Sequence, residues 1–85
     1  MHDGGIGTEV VELVRKLGKI GPTVLITTET RFVEDLGIDS LDLVAVFLGV
    51  QDRFDVVIED EDVAEIKTVG DLVGYIGKRG DSLAA

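Results

Sequence analysis

The sequence contains no cysteine and one histidine, His2, among its 85 residues. Disulfides and thiolate metal sites are thereby excluded, and a single histidine cannot build a transition-metal cluster. His2 lies in a start expected to be loose, so no serine in the chain has a histidine partner for charge relay. Any reactive thiol must come from outside. Basic residues are also scarce, eight Lys and Arg against seventeen Asp and Glu, for a formal net charge of −9. This excludes nucleic-acid binding, which needs a basic surface to displace counterions from phosphates; partners are expected to be basic. The longest apolar run, Leu43 to Gly49, is too short to span a bilayer, and the N-terminus lacks the charged-then-apolar order of a secretion signal. A cytoplasmic chain without a membrane span is expected.

What is present fits one small domain. Eighty-five residues with 45% hydrophobic content support one compact core and leave no room for a deep catalytic cleft. We expect a single domain over residues 1–85, ordered over about 6–79 with loose termini, and a monomer. The charge is unevenly placed: Glu29 to Glu65 holds twelve acids against Arg31 and Arg53, so this segment carries −10 and the remainder +1.

Val10, Leu13, Val14 and Leu17 recur at helical spacing, which predicts an amphipathic helix over about Thr8 to Leu17, stopped by Gly18, Gly21 and Pro22. The stretch to Asp39 is rich in threonine and β-branched residues without sustained alternation. Leu25–Thr28 has strand character but no second strand to pair with, so a long crossing loop is expected, pinned to the core by Leu25, Phe32 and Leu36. A second helix should start at Asp39 or Ser40 and run to about Phe54. Acids at its start and the spacing of Val63 and Ile66 predict a short third helix from Asp60 to Ile66. Thr68 with Asp71 forms a further N-cap pair, opening a last helix that carries Val69, Leu72, Val73 and Ile76 and ends near Lys78 and Arg79. Gly80 to Ala85 should be a tail. The fold class is all-α, a small four-helix bundle of three longer helices and one short, with a long loop between helices 1 and 2.

Around the second helix the apolar residues fall into two groups at 100° per residue. Leu43, Val46, Phe47, Val50 and Phe54 form one wide stripe, the core contact. Leu41, Val44 and Leu48 lie roughly opposite. This second group either packs beneath the long loop or forms an exposed strip, rimmed by Asp42, Asp52 and Asp55, on which a partner docks. Ser40 also has two readings. It can be the helix cap, or Asp39 can cap and leave the Ser40 hydroxyl free at the first turn. A phosphate ester on that hydroxyl would sit at the positive end of the helix dipole, beside unpaired backbone N–H groups, which offsets part of the repulsion from nearby carboxylates. Under the second reading the site can hold a phosphodiester, and Ser40 would be a place of attachment.

The pattern Phe32-x-Glu34-Asp35-Leu36-Gly37-x-Asp39-Ser40-Leu41-Asp42-x-Val44, followed by Phe54-Asp55, Ile58, Asp60, Ile66, Thr68-Val69 and Tyr75-Ile76, resembles the acyl carrier protein family. The likeness covers about residues 32 to 76, and the first helix agrees in pattern. The resemblance implies that Ser40, flanked by Asp39 and Leu41, receives 4′-phosphopantetheine from coenzyme A. A separate Mg²⁺-using phosphopantetheinyl transferase, the holo-synthase, would perform the transfer. The thiol of that arm would then carry acyl groups between enzymes of fatty acid, polyketide or related lipid biosynthesis. It also implies that the chain is not itself an enzyme, that it holds no metal, and that Leu41, Asp42, Val44, Leu48 and Asp52 meet basic patches on loading and transferring synthases. By the same likeness Val46, Phe47, Val50 and Ile66 would shelter the acyl chain.

Three departures mark the recognition helix. Ala45, Gln51 and Arg53 stand where fatty-acid carriers commonly have glutamate, and Glu59 stands where proline is common, so a less acidic docking face and a specialised pathway are expected. Asp39 favours an acyl over an aminoacyl or peptidyl carrier, where histidine is usual before the serine. A non-carrying acidic interaction module, with Ser40 as a cap only, is the rival from another class. A calcium-binding protein, suggested by Asp60-Glu61-Asp62, lacks the ligand alternation and central glycine of an EF-hand loop.

Overall fold

Helical periodicity and cap chemistry set the elements. The computed structural model describes residues 5–84, with side chains to Arg79. It contains α1 (Gly5–Leu17), α2 (Ser40–Phe54), α3 (Asp60–Val63) and α4 (Val69–Ala84). This is the expected all-α bundle of three longer helices and a short one. Among the described residues there is no strand, and Leu25–Thr28 is loop; one isolated antiparallel bridge joins Arg31 to Thr68. His2 lies outside the described residues.

The core is a single cluster. Val10 and Val14 of α1, Val46, Phe47 and Val50 of α2, and Val69, Leu72 and Ile76 of α4 are buried, joined by Phe32, Ile38, Val56, Ile58 and Ile66 from the connections. α1 packs against both α2 and α4. Phe32 and Phe47 meet edge to face, their ring centroids 6.1 Å apart at 87°, the arrangement favoured by the ring quadrupoles.

α4 is opened by a reciprocal cap. The Asp71 N–H donates to the Thr68 hydroxyl at 3.0 Å, while the Asp71 carboxylate accepts from the N–H groups of Lys67 and Thr68, both at 3.1 Å. These backbone donors, that of Lys67 foremost, hold the Asp71 carboxyl below the usual carboxylate range.

Several boundaries differ from expectation. α1 begins at Gly5, earlier than Thr8. α4 continues to Ala84, so residues 80–84 are helix and no tail begins at Gly80. A glycine ends a helix where the backbone turns left-handed, and among the described residues Gly37 is the one glycine with positive φ. The third helix stops at Val63; Glu65 and Ile66 continue in tight turns, donating to Asp62 and Val63 at 3.0 and 3.1 Å.

The long loop is pinned by other means than expected. Phe32 is buried and Leu36 half-buried, but Leu25 is 80% exposed and pins nothing. Ile26 packs against the core in its place. Backbone satisfaction decides the path: the unpaired first N–H groups of α4 need acceptors, and the loop supplies them. Val69 N–H donates to Thr30 O at 3.0 Å and Gly70 N–H to Thr28 O at 2.8 Å. A Cβ on Gly70 would lie 2.8 Å from that Thr28 oxygen, so only glycine permits the approach. The Arg15 guanidinium clamps the loop's other end, donating to Gly21 O at 2.6 Å and Val24 O at 3.0 Å.

α3 buries no residue. It is held by a polar cluster on α4, in which the Tyr75 hydroxyl donates to the Asp62 carboxylate at 2.8 Å and accepts from Glu59 N–H at 3.2 Å and from Arg79 at 2.6 Å.

Candidate attachment site and docking face

The turn before α2 delivers Ser40 to the surface. Arg31 and Asp35 form a two-bonded fork at 3.1 and 3.0 Å, and the Arg31 N–H adds a third bond to the same carboxylate at 2.8 Å. The Arg31 guanidinium, then its backbone N–H, hold the Asp35 carboxyl below its ordinary range. Gly37 follows at φ 67, a left-handed turn that costs a side-chain-bearing residue more. Its N–H donates to Val33 O at 3.0 Å. Ile38 is then buried, its N–H on Phe32 O at 3.1 Å. With Ile38 anchored, Asp39 and Ser40 emerge exposed.

The two readings of Ser40 separate cleanly. Asp39 is the N-cap, with extended backbone and its Oδ1 accepting from Asp42 N–H at 2.9 Å, while its carbonyl accepts from Leu43 N–H at 2.9 Å. Ser40 is the first helical residue, and no hydrogen bond within the described residues engages its hydroxyl. The N–H groups of Ser40 and Leu41 open the helix, with no acceptor one turn behind them. An exposed, uncommitted hydroxyl beside free donors at a dipole's positive end fits a phosphodiester.

The two apolar groups on α2 also separate. Val46, Phe47 and Val50 are buried and Leu43 and Phe54 pack partly against the core. Leu41, Val44 and Leu48 are 81%, 53% and 60% exposed, so the loop does not cover them. Asp42 is half-buried, Asp52 and Asp55 exposed. Asp55 caps the C-terminus of α2 in a left-handed conformation, its N–H on Gln51 O.

Two of the three departures in this helix have work inside the chain. Gln51 Oε1 accepts from Ile58 N–H at 3.0 Å, tying the end of α2 to the segment before α3. Arg53 forms an ion pair with Glu9 of α1, and it sits about 150° around the helix from the exposed strip. Of the three departures, Ala45 alone has no partner of this kind inside the chain. Nothing in the sequence marked Gln51, Arg53 or Tyr75 for these roles, because their partners lie on other elements.

Val46, Phe47, Val50 and Ile66 share the core cluster. Of the four, Ile66 alone also lines the open groove of about 700 Å³ between the α3 region and α4, beside Tyr75 and Arg79. Among the described residues, no helix is long and apolar enough to cross a membrane.

Comparison with known proteins agrees with this geometry. The phosphopantetheine attachment site family matches residues 8–76. An acyl carrier protein of Exiguobacterium is 45% identical over 64 residues, covering 75% of this chain and 78% of that protein. Meromycolate extension acyl carrier proteins of Mycobacterium tuberculosis and Mycobacterium leprae are each 44% identical over 69 residues, 81% of this chain and 59% of theirs. This chain belongs to the acyl carrier protein family, whose domain is the site of covalent 4′-phosphopantetheine attachment.

Proposed function

We propose that Ser40 is the attachment residue and that the chain serves as an acyl carrier in fatty acid or related lipid biosynthesis, without catalysing a reaction of its own. The observation that carries this reading is the division of labour at the start of α2: Asp39 caps the helix and Ser40 keeps an exposed, unbonded hydroxyl. The Ser40 oxygen forms a new ester bond to phosphorus as the pyrophosphate linkage of coenzyme A breaks and its nucleotide half leaves. The hydroxyl proton passes to a general base supplied by the transferase. The attached group supplies a thiol that holds acyl cargo as a thioester. Asp39 caps the helix start, and the first-turn N–H groups would offset the phosphate charge when the group is attached.

Leu41, Val44 and Leu48, with Asp42 and Asp52, form the face on which basic partner enzymes dock. Val46, Phe47, Val50 and Ile66 line the route by which an acyl chain enters between helices, and the open groove at Ile66 supports that direction. The carrier works as a cytoplasmic monomer.

Incubation with coenzyme A, Mg²⁺ and a broad-specificity phosphopantetheinyl transferase tests the assignment by intact mass. One arm adds to the wild type and none to Ser40→Ala. No mass gain, or a gain that survives Ser40→Ala, refutes it and favours the non-carrying module.

A further inference from the structure

α1 ends in a cap whose left-handed position is held by a lysine. Ile20 N–H donates to Arg15 O at 2.9 Å across the turn, and Lys19 sits between them at φ 59. Glycine or asparagine is the low-cost occupant of that conformation. The Lys19 ammonium lies 3.9 Å from Oδ1 of Asp42, with side chains 79% and 30% exposed. Among the described residues, no other ion pair reaches the first turn of α2. The turn that carries Lys19 runs close to Ile38, two residues before Ser40: a Cβ on Gly18 would lie 2.9 Å from Ile38 Cδ1.

We propose that Lys19 is a specificity-determining residue that acts through Asp42, by holding within the chain the carboxylate that the docking helix would otherwise offer to a cationic partner. This rests on the reading of α2 as the docking helix. A partner whose lysine or arginine reaches for Asp42 must displace Lys19, so it gains the difference between two ion pairs rather than a whole one. A partner that relies on Leu41, Val44 and Leu48 loses nothing. The surface therefore favours enzymes with an apolar docking patch over those that aim a cation at the first turn.

Lys19→Asn removes the charge with a residue suited to the left-handed position, and Lys19→Arg retains it. Each apo protein is loaded by a phosphopantetheinyl transferase at low salt and followed by intact mass. Lys19→Asn lowers the transferase's KM for the carrier about two- to fivefold with kcat unchanged, and Lys19→Arg behaves as wild type. In an Asp42→Asn background Lys19→Asn has no effect. In about 1 M salt, where the screening length is about 3 Å, the difference disappears. Equal KM values for wild type and Lys19→Asn overturn the inference. So does an effect that persists at full size without Asp42, which would be general charge rather than this pair. Failure of the wild type to gain mass overturns the carrier reading itself, and this inference with it.

Discussion

Replacing Leu48 by glutamate separates docking from folding. Leu48 is 60% exposed on α2, so its removal takes little from the core, and a surface substitution of this kind changes stability by about 0.5 kcal/mol or less. Docking is different. Full burial of a leucine side chain is worth about 1.5–3 kcal/mol, and the exposed 60% of Leu48 corresponds to about 1–2 kcal/mol available only to a partner. Leu48→Ala should then lower kcat/KM for loading by about five- to thirtyfold. Leu48→Glu loses more, because the partner must also desolvate a carboxylate against apolar surface. Thermal unfolding by circular dichroism and transferase kinetics by intact mass are measured on the same samples. An unchanged kcat/KM in Leu48→Glu would refute the docking face. Loss of the cooperative transition would show that Leu48 belongs to the core, as Val50→Glu is expected to show for its buried neighbour.

Gly70→Ala sets a methyl 2.8 Å from Thr28 O, a backbone atom that cannot swing aside, and should cost about 1–3 kcal/mol in chemical denaturation; a neutral result would show that the loop moves freely from α4. Tyr75→Phe removes a hydroxyl with three partners and should cost about 1–2 kcal/mol, with amide exchange faster in α3 and the Glu59 region than in α1. The Asp71 and Asp35 carboxyls are held below their usual range, so their contribution to stability is complete above the ordinary carboxylate range. It is lost as acidification passes through their lower folded values. The acid limb of the stability curve should therefore extend below about pH 4, and Asp71→Asn should make it shallower; an unchanged slope would remove the cap from the account.

The elements with strong local signals were legible in the chain itself. α2 could be placed because Asp39 and Asp42 supply a cap at one end and Leu43, Val46, Phe47 and Val50 a stripe along it, all within a few turns. The cap at Thr68 and Asp71 was legible for the same reason. Leu25 was misplaced because apolar character alone does not say which face of an irregular loop turns inward. Ile26 took the inward position once the loop carbonyls met the N–H groups of α4. The tail expected from Gly80 is helix to Ala84, because composition does not reveal the sign of φ.

By itself the sequence pointed to the family, through motifs held in register from Phe32 to Ile76, and to Ser40 as the candidate attachment residue. The serine between Asp39 and Leu41 carries little alone; the register of Phe32, Gly37, Phe54, Ile66, Thr68 and Tyr75 around it carries the likeness. Only the tertiary structure decided that Ser40 is free of capping duty and that Leu41, Val44 and Leu48 face solvent. It alone showed Gln51 and Arg53 to be used internally and Asp42 to be held by Lys19. The reason is range. Caps and periodicity act over three to seven residues along the chain, whereas burial and ion pairing depend on which elements meet, and that is set by a core drawn from every part of the chain.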